Sequence, residues 1–290
     1  MEHTRAVLKL DGGLSTALEE QGVKLASSLW TGELLRTSPK KILQAHKDFV
    51  SAGAQIIVTS AYQISFFGCI ERGWAKSEVR DALRISTELA REACQGSDVQ
   101  VAASVGPYGA ALGDGSEYRG RYGVSKSFLK DFHRQRLELL IESQPDLLAL
   151  ETMPDLDEVE ILLDLMEESQ TNIPYWVAYS CTAGARTNAE QRFSDAIALV
   201  NERKNAIAVG ANCTDPSLIT ELLKSAPSAL PFIVYPNSGR HWDAKRKTWS
   251  GPAKGAFHSD MLAEWGELGA SIIGGCCGVS PRDIEALELP

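Results

Sequence analysis

Three of the six cysteines stand where apolar runs end. Cys213 closes the run at residues 206–213, and Cys276 and Cys277 close the run at 271–276, inside Gly274-Gly275-Cys276-Cys277-Gly278. Thiolate ligands favour zinc over magnesium or calcium. Three protein ligands leave a fourth position open, as in a catalytic zinc site, whereas a structural site closes all four. Neighbouring residues of a regular strand point to opposite faces, but the flanking glycines let the backbone leave that geometry, so Cys276 and Cys277 can both turn inward. The common C-x-x-C spacing is absent, so spacing alone leaves a redox pair open beside a metal site. Cys69, Cys94 and Cys181 read as small buried apolar residues.

A second constellation is a pair of carboxylates, Asp11 and Glu151, each at the end of an apolar run with no arginine beside it. A buried carboxylate is costly unless paired, and a ligand ammonium would pair it. The Gly12-Gly13 backbone after Asp11 could form an N–H nest for a ligand carboxylate. Together these would hold an α-amino acid. The plainer alternatives are Asp11 as a turn or helix cap, and Glu151 as a strand-end carboxylate satisfied by nearby backbone N–H groups.

Positioning such groups takes a scaffold whose strand ends converge. Eight short apolar runs recur, at 7–11, 55–60, 99–105, 146–151, 175–180, 206–213, 231–237 and 271–276. Most are near-continuous in hydrophobicity, as strands covered on both faces must be. Amphipathic segments alternate with them. Ser38-Pro39, Asp215-Pro216 and Ser280-Pro281 give a cap followed by proline at the first helical position. Asp155 with Glu158 gives a capping-box start, and Phe128, Phe132 and Leu139 stripe another helix. Residues 77–94, 189–201 and 257–268 complete the helical set. Eight strands alternating with helices predict an α/β fold, a (β/α)8 barrel filling residues 1–290 as one domain, with its site where the strands end. The alternative is an open doubly wound sheet. That fold commonly carries G-x-G-x-x-G after its first strand, and Asp11-Gly12-Gly13-Leu14-Ser15-Thr16 does not match it.

The chain has 290 residues and a net charge of −9, from 29 basic and 38 acidic side chains. That balance argues against a nucleic-acid or anionic-membrane partner, both of which need a basic face. No run of about 18 apolar residues predicts a membrane span, and the start shows no secretory apolar core. A cytoplasmic location with reduced thiols is expected.

In order along the chain, Leu10-Asp11-Gly12-Gly13, Ser28-Leu29-Trp30, SVGPYGA from Ser104, GSEYRG from Gly115, Glu151-Thr152, GANC ending at Cys213, VYPNSG from Val234 and GGCCG ending at Gly278 resemble the homocysteine S-methyltransferase family, most closely its S-methylmethionine-using branch. The upstream G-x-N-C combined with GGCCG is the specific part. The betaine-dependent and cobalamin-dependent relatives carry additional sequence or domains and fit less well. The resemblance implies a (β/α)8 barrel with one zinc ion on Cys213, Cys276 and Cys277. It implies Asp11 and Glu151 near the homocysteine amino group, which leaves the Gly12-Gly13 nest for its carboxylate. It also makes Tyr62 the candidate metal ligand when substrate is absent.

The implied reaction is methyl transfer from a sulfonium to the homocysteine thiolate, giving methionine, with no separate protein acid or base. S-Methylmethionine is the expected donor, ahead of S-adenosylmethionine and betaine. Aromatic faces recognise such a cation without attacking it. Trp30, Tyr108 and Tyr118 are the candidates, with Glu117 for the donor's amino group, while Asn212 either fixes a loop or orients a ligand. Two other classes stay open: a non-catalytic zinc-bearing or thiol-sensing barrel, and a zinc-dependent lyase or hydrolase. The latter needs a general base beside a metal-bound water, and no histidine cluster offers one.

Overall fold

The computed structural model describes residues 6–25, 27, 29–239, 241–243, 248–250 and 258–290. Ser28, part of one motif, and Phe257, the expected start of a helix, lie outside them. Eight parallel strands form one sheet: β1 Leu8–Lys9, β2 Ile56–Val58, β3 Gln100–Val105, β4 Leu147–Met153, β5 Tyr175–Tyr179, β6 Ala206–Asn212, β7 Phe232–Tyr235 and β8 Ala270–Ile273. They pair in chain order from β2 to β8, and β8 pairs with β1. A parallel bridge between Leu10 and Ile56 brings β1 to β2 and closes the ring. Each of the eight apolar runs supplies one strand, so the architecture is the expected (β/α)8 barrel.

Two cores follow from this closure. Leu10, Ile56, Ala102, Leu147, Ala149, Trp176, Ala208, Ile233 and Ile272 fill the barrel interior. Their alternates on the same strands, such as Ile57, Val101, Leu148, Val177, Val209 and Val234, pack outward under the helices. Both faces are therefore apolar, which is why the strands read as unbroken hydrophobic runs.

The helices start close to their sequence signals, with three differences. Pro39–Ser51 begins at the expected proline, but the Ser38 side chain makes no capping bond. Asp155 caps Leu156–Glu168 by accepting from the Asp157 N–H, whereas Glu158 does not close a capping box; its carboxylate is used elsewhere, as described below. The helix expected from residue 189 starts at Phe193, because 181–187 form a small antiparallel hairpin first. Asp215 and Ser280 cap Pro216–Ser225 and Pro281–Glu285 as expected. Among the described residues no helix is long and apolar enough to cross a membrane.

Candidate metal centre and substrate cavity

The strand ends on one side of the barrel surround a cavity of about 180 Å³. Strand β7 aligns the two cysteine segments that flank it. The Tyr235 carbonyl accepts from the Cys213 N–H at 3.3 Å, and the Pro236 carbonyl accepts from the Cys276 N–H at 2.8 Å. Cys213 adopts a left-handed backbone, φ 48°, at a cost of about 1–2 kcal/mol. Gly278 is also left-handed, and a side chain there would fall 2.1 Å from the Ser238 hydroxyl oxygen. The backbone thus leaves strand geometry at Cys213 and again just beyond Cys277.

Sulfurs from residues more than sixty positions apart meet as a result. The Cys213–Cys277 and Cys276–Cys277 sulfur separations are 3.9 and 4.0 Å, and all three sulfurs lie within 4.8 Å of one another. A tetrahedral ion with bonds of ~2.3 Å to sulfur needs a sulfur–sulfur edge of ~3.8 Å, so the trio fits a metal. All three are free thiols. Their protonation makes the same case. The Cys276 and Cys277 thiols hydrogen-bond the Cys213 sulfur and hold it well below the usual thiol range. Those same bonds hold Cys276 and Cys277 well above it. Alone, the trio supports one thiolate; a divalent ion would support three.

The rest of the cavity is acidic. Asp11 Oδ2 accepts from the Val58 N–H at 2.8 Å, yet burial holds its carboxyl well above the ordinary range, and the Glu151 charge adds to the shift. Glu151 accepts from the Ser104 hydroxyl at 2.5 Å and from the Tyr235 hydroxyl. Tyr235 in turn accepts from the Trp176 indole N–H at 3.0 Å inside the barrel. Burial still pushes Glu151 up to about 7. Glu117 is also pushed up to about 7 by burial, and its Oε2 has no hydrogen-bond partner. Among the described residues no lysine or arginine lines the cavity. Three carboxylates without a protein cation suit a ligand that brings ammonium groups.

Trp30, Tyr62 and Tyr118 line the same space. Tyr118 is 37% exposed, but its hydroxyl turns in and hydrogen-bonds the Cys213 sulfur. Tyr62 hydrogen-bonds Thr152 and feels the Cys213 charge. Gly12 and Gly13 also border the cavity. The Gly13 N–H, however, donates to the Val279 carbonyl at 2.9 Å, so the expected two-glycine nest has lost one donor.

A family model described as homocysteine S-methyltransferase matches residues 8–289. The chain belongs to the homocysteine S-methyltransferase family. Homocysteine S-methyltransferase 1 of Zea mays is 39% identical over 301 residues, covering 96% of this chain and 92% of that protein. The homocysteine S-methyltransferase YbgG of Bacillus subtilis (strain 168) is 38% identical over 299 residues, covering 98% and 94%. The structure of the homocysteine methyltransferase MmuM from Escherichia coli, metallated form, superposes with a TM-score of 0.85 at 35% identity, covering 97% of this chain and 95% of that one. This family member is therefore an enzyme of homocysteine methyl transfer, and Cys213, Cys276 and Cys277 are the residues that could hold its metal.

Of the expected binding residues, Tyr108 and Asn212 do not line the cavity, and Asn212 takes the loop-fixing alternative. Tyr108 is 5% exposed and packs its ring among Phe67, Tyr122, Phe128 and Phe132, at centroid distances of 5.1–5.6 Å. The helix that starts at Tyr108 turns the side chain away from the cavity. Asn212 is fully buried; its Oδ1 accepts from the Thr152 N–H at 2.7 Å and its Nδ2 donates to the Thr152 hydroxyl at 2.8 Å. That clamp supports the left-handed backbone of Thr152, φ 58°, and its hydroxyl hydrogen-bonds the Cys213 sulfur. Sequence reasoning gave no role to Ser104, Thr152 or Tyr235. Their positions at strand ends were the available signal; their partners come from strands distant in sequence.

Proposed function

We propose that this enzyme transfers a methyl group from S-methylmethionine to the thiolate of L-homocysteine, with zinc held by Cys213, Cys276 and Cys277, and forms methionine. When bound, zinc would supply a thiolate at neutral pH from the homocysteine thiol, whose free pKa is about 8.5. The chain's own residues bind and align. Asp11 and Glu151 pair with the homocysteine ammonium. Glu117 pairs with the donor ammonium, and the faces of Trp30 and Tyr118 lie against the sulfonium. Before substrate arrives, Tyr62, which lines the same cavity, would be the further residue available to hold the ion.

In the transfer the homocysteine sulfur forms a bond to the methyl carbon as the donor's sulfur–methyl bond breaks. The electron pair stays on the departing sulfur, which leaves as a neutral thioether, and the thiol proton goes to solvent. No protein acid or base is required. What the barrel contributes is alignment of two sulfurs about one carbon.

The observation that carries this reading is the sulfur trio opening into a cavity lined by three carboxylates and no cationic side chain among the described residues. The test is a matrix of acceptors and donors with zinc-loaded protein, followed by methionine formation. Turnover is expected with homocysteine plus S-methylmethionine, weaker turnover with S-adenosylmethionine, and none with betaine. Metal-loaded protein inert toward homocysteine with every donor would overturn it.

A further inference from the structure

Three ionisable side chains are buried together outside the cavity: His133, Arg136 and Glu158, 0%, 1% and 1% exposed. They form a relay. Arg136 Nη2 donates to His133 Nδ1 at 3.0 Å, and His133 Nε2 donates to Glu158 Oε1 at 2.8 Å. Both ends grip one turn. Arg136 donates to the Gly106 carbonyl, and Glu158 Oε1 accepts from the Tyr108 N–H at 2.6 Å. Glu158 Oε2 also accepts from the Tyr122 hydroxyl at 3.2 Å, and that hydroxyl accepts from the Gly109 N–H.

The gripped turn is the seat of the cavity rim. A Cβ at Gly106 would fall 2.6 Å from the Tyr62 ring, and one at Gly109 would fall 2.4 Å from the Glu117 backbone nitrogen. A displacement of this turn by a fraction of an ångström therefore moves Tyr62, Glu117 and Tyr118 together. The groups assigned to homocysteine, Asp11 and Glu151, are not bonded to the relay itself; Glu151 is held instead by the Ser104 hydroxyl at 2.5 Å, inside strand β3 ahead of the turn.

We infer that the Arg136–His133–Glu158 relay is a positioning device for the methyl-donor side of the cavity: it fixes the Gly106–Gly109 turn on which Glu117 and Tyr118 are placed. This rests on the donor reading given above. The imidazole must stay neutral to accept from Arg136 and donate to Glu158 at once. Burial, with Arg136 beside it, lowers its pKa to about 4 and keeps it neutral.

The experiment compares full-length wild type, His133→Leu and His133→Gln. Glutamine can still accept from Arg136 and donate to Glu158; leucine can do neither. Zinc content, both KM values and hydrogen–deuterium exchange of residues 106–120 in the metal-free protein are measured. His133→Leu should raise the donor KM about tenfold, the scale of one lost buried hydrogen bond, and speed exchange in that segment, with zinc content and homocysteine KM near wild type. His133→Gln should restore both. A folded His133→Leu with wild-type donor KM and exchange would overturn the inference. So would equal losses toward donor, homocysteine and metal, which mark general destabilisation. If His133→Leu does not fold, Tyr122→Phe removes one link only, and an unchanged donor KM there overturns it equally. A wild type inert toward every sulfonium sinks the donor reading, while the exchange data still decide whether the relay holds the turn.

Discussion

Asp11→Asn should move binding and stability in opposite directions. The asparagine Oδ1 can keep the bond that Asp11 Oδ2 accepts from the Val58 N–H at 2.8 Å, so the β1–β2 connection survives. What disappears is the charge offered to the homocysteine ammonium. A hydrogen bond to a charged group contributes about 1.5–3 kcal/mol, and each 1.36 kcal/mol is a factor of ten, so the homocysteine KM should rise roughly 10- to 150-fold. Donor KM and zinc content should stay near wild type.

Stability should respond the other way. Burial raises the Asp11 pKa well above its ordinary 3.8, so the folded state favours the protonated form. The stability that follows is fully present below 3.8 and is lost as pH rises through the folded value. Asparagine cannot ionise. The metal-free variant should therefore melt above wild type, by a margin that widens as pH rises from about 4 through the folded value. Homocysteine should narrow the gap in the zinc-loaded proteins, because it binds the folded wild type more tightly. Steady-state kinetics and melting across that pH range provide the check. An unchanged homocysteine KM, or a variant that melts lower at neutral pH, would refute the reasoning.

Glu117→Gln should raise the donor KM about tenfold and leave the homocysteine KM within about twofold, measured by varying each substrate in turn; the reverse pattern would reassign Glu117. Tyr108→Phe should leave both KM values unchanged, while Tyr108→Ala should cost about 3–5 kcal/mol in urea unfolding, because the ring is packing and not a ligand contact. His46 is buried and its pKa is lowered to about 4 from 6.5, so its contribution is present above 6.5 and lost as pH falls through 4. His46→Leu should thus gain about 2 kcal/mol on wild type between pH 7 and pH 5; parallel pH profiles would contradict the assignment.

The barrel was legible because both faces of each strand are covered, so eight apolar runs stand out and order themselves. The meeting of the three sulfurs was legible because thiols at the ends of strands β6 and β8 are separated by a single strand, and β7 binds both. Side-chain direction was not. Whether Tyr108 points into the cavity depends on a helix that starts at Tyr108 itself. Whether Asn212 meets substrate depends on the left-handed backbone of Thr152, which it clamps. Glu158 sits at the right spacing for a capping box with Asp155, but buried partners from other helices compete for its carboxylate, and His133 and the Tyr108 amide prevail. The Ser104–Glu151–Tyr235–Trp176 chain joins four strands, and nothing in local spacing records such a contact.

The central claim is that three cysteine sulfurs hold one metal ion and leave a place for the sulfur of homocysteine. Zinc-edge X-ray absorption on the loaded enzyme counts those sulfurs directly. Three sulfurs at about 2.3 Å are expected in the resting enzyme and four after homocysteine is added. A count already at four before homocysteine, or unchanged at three afterwards, would contradict the account.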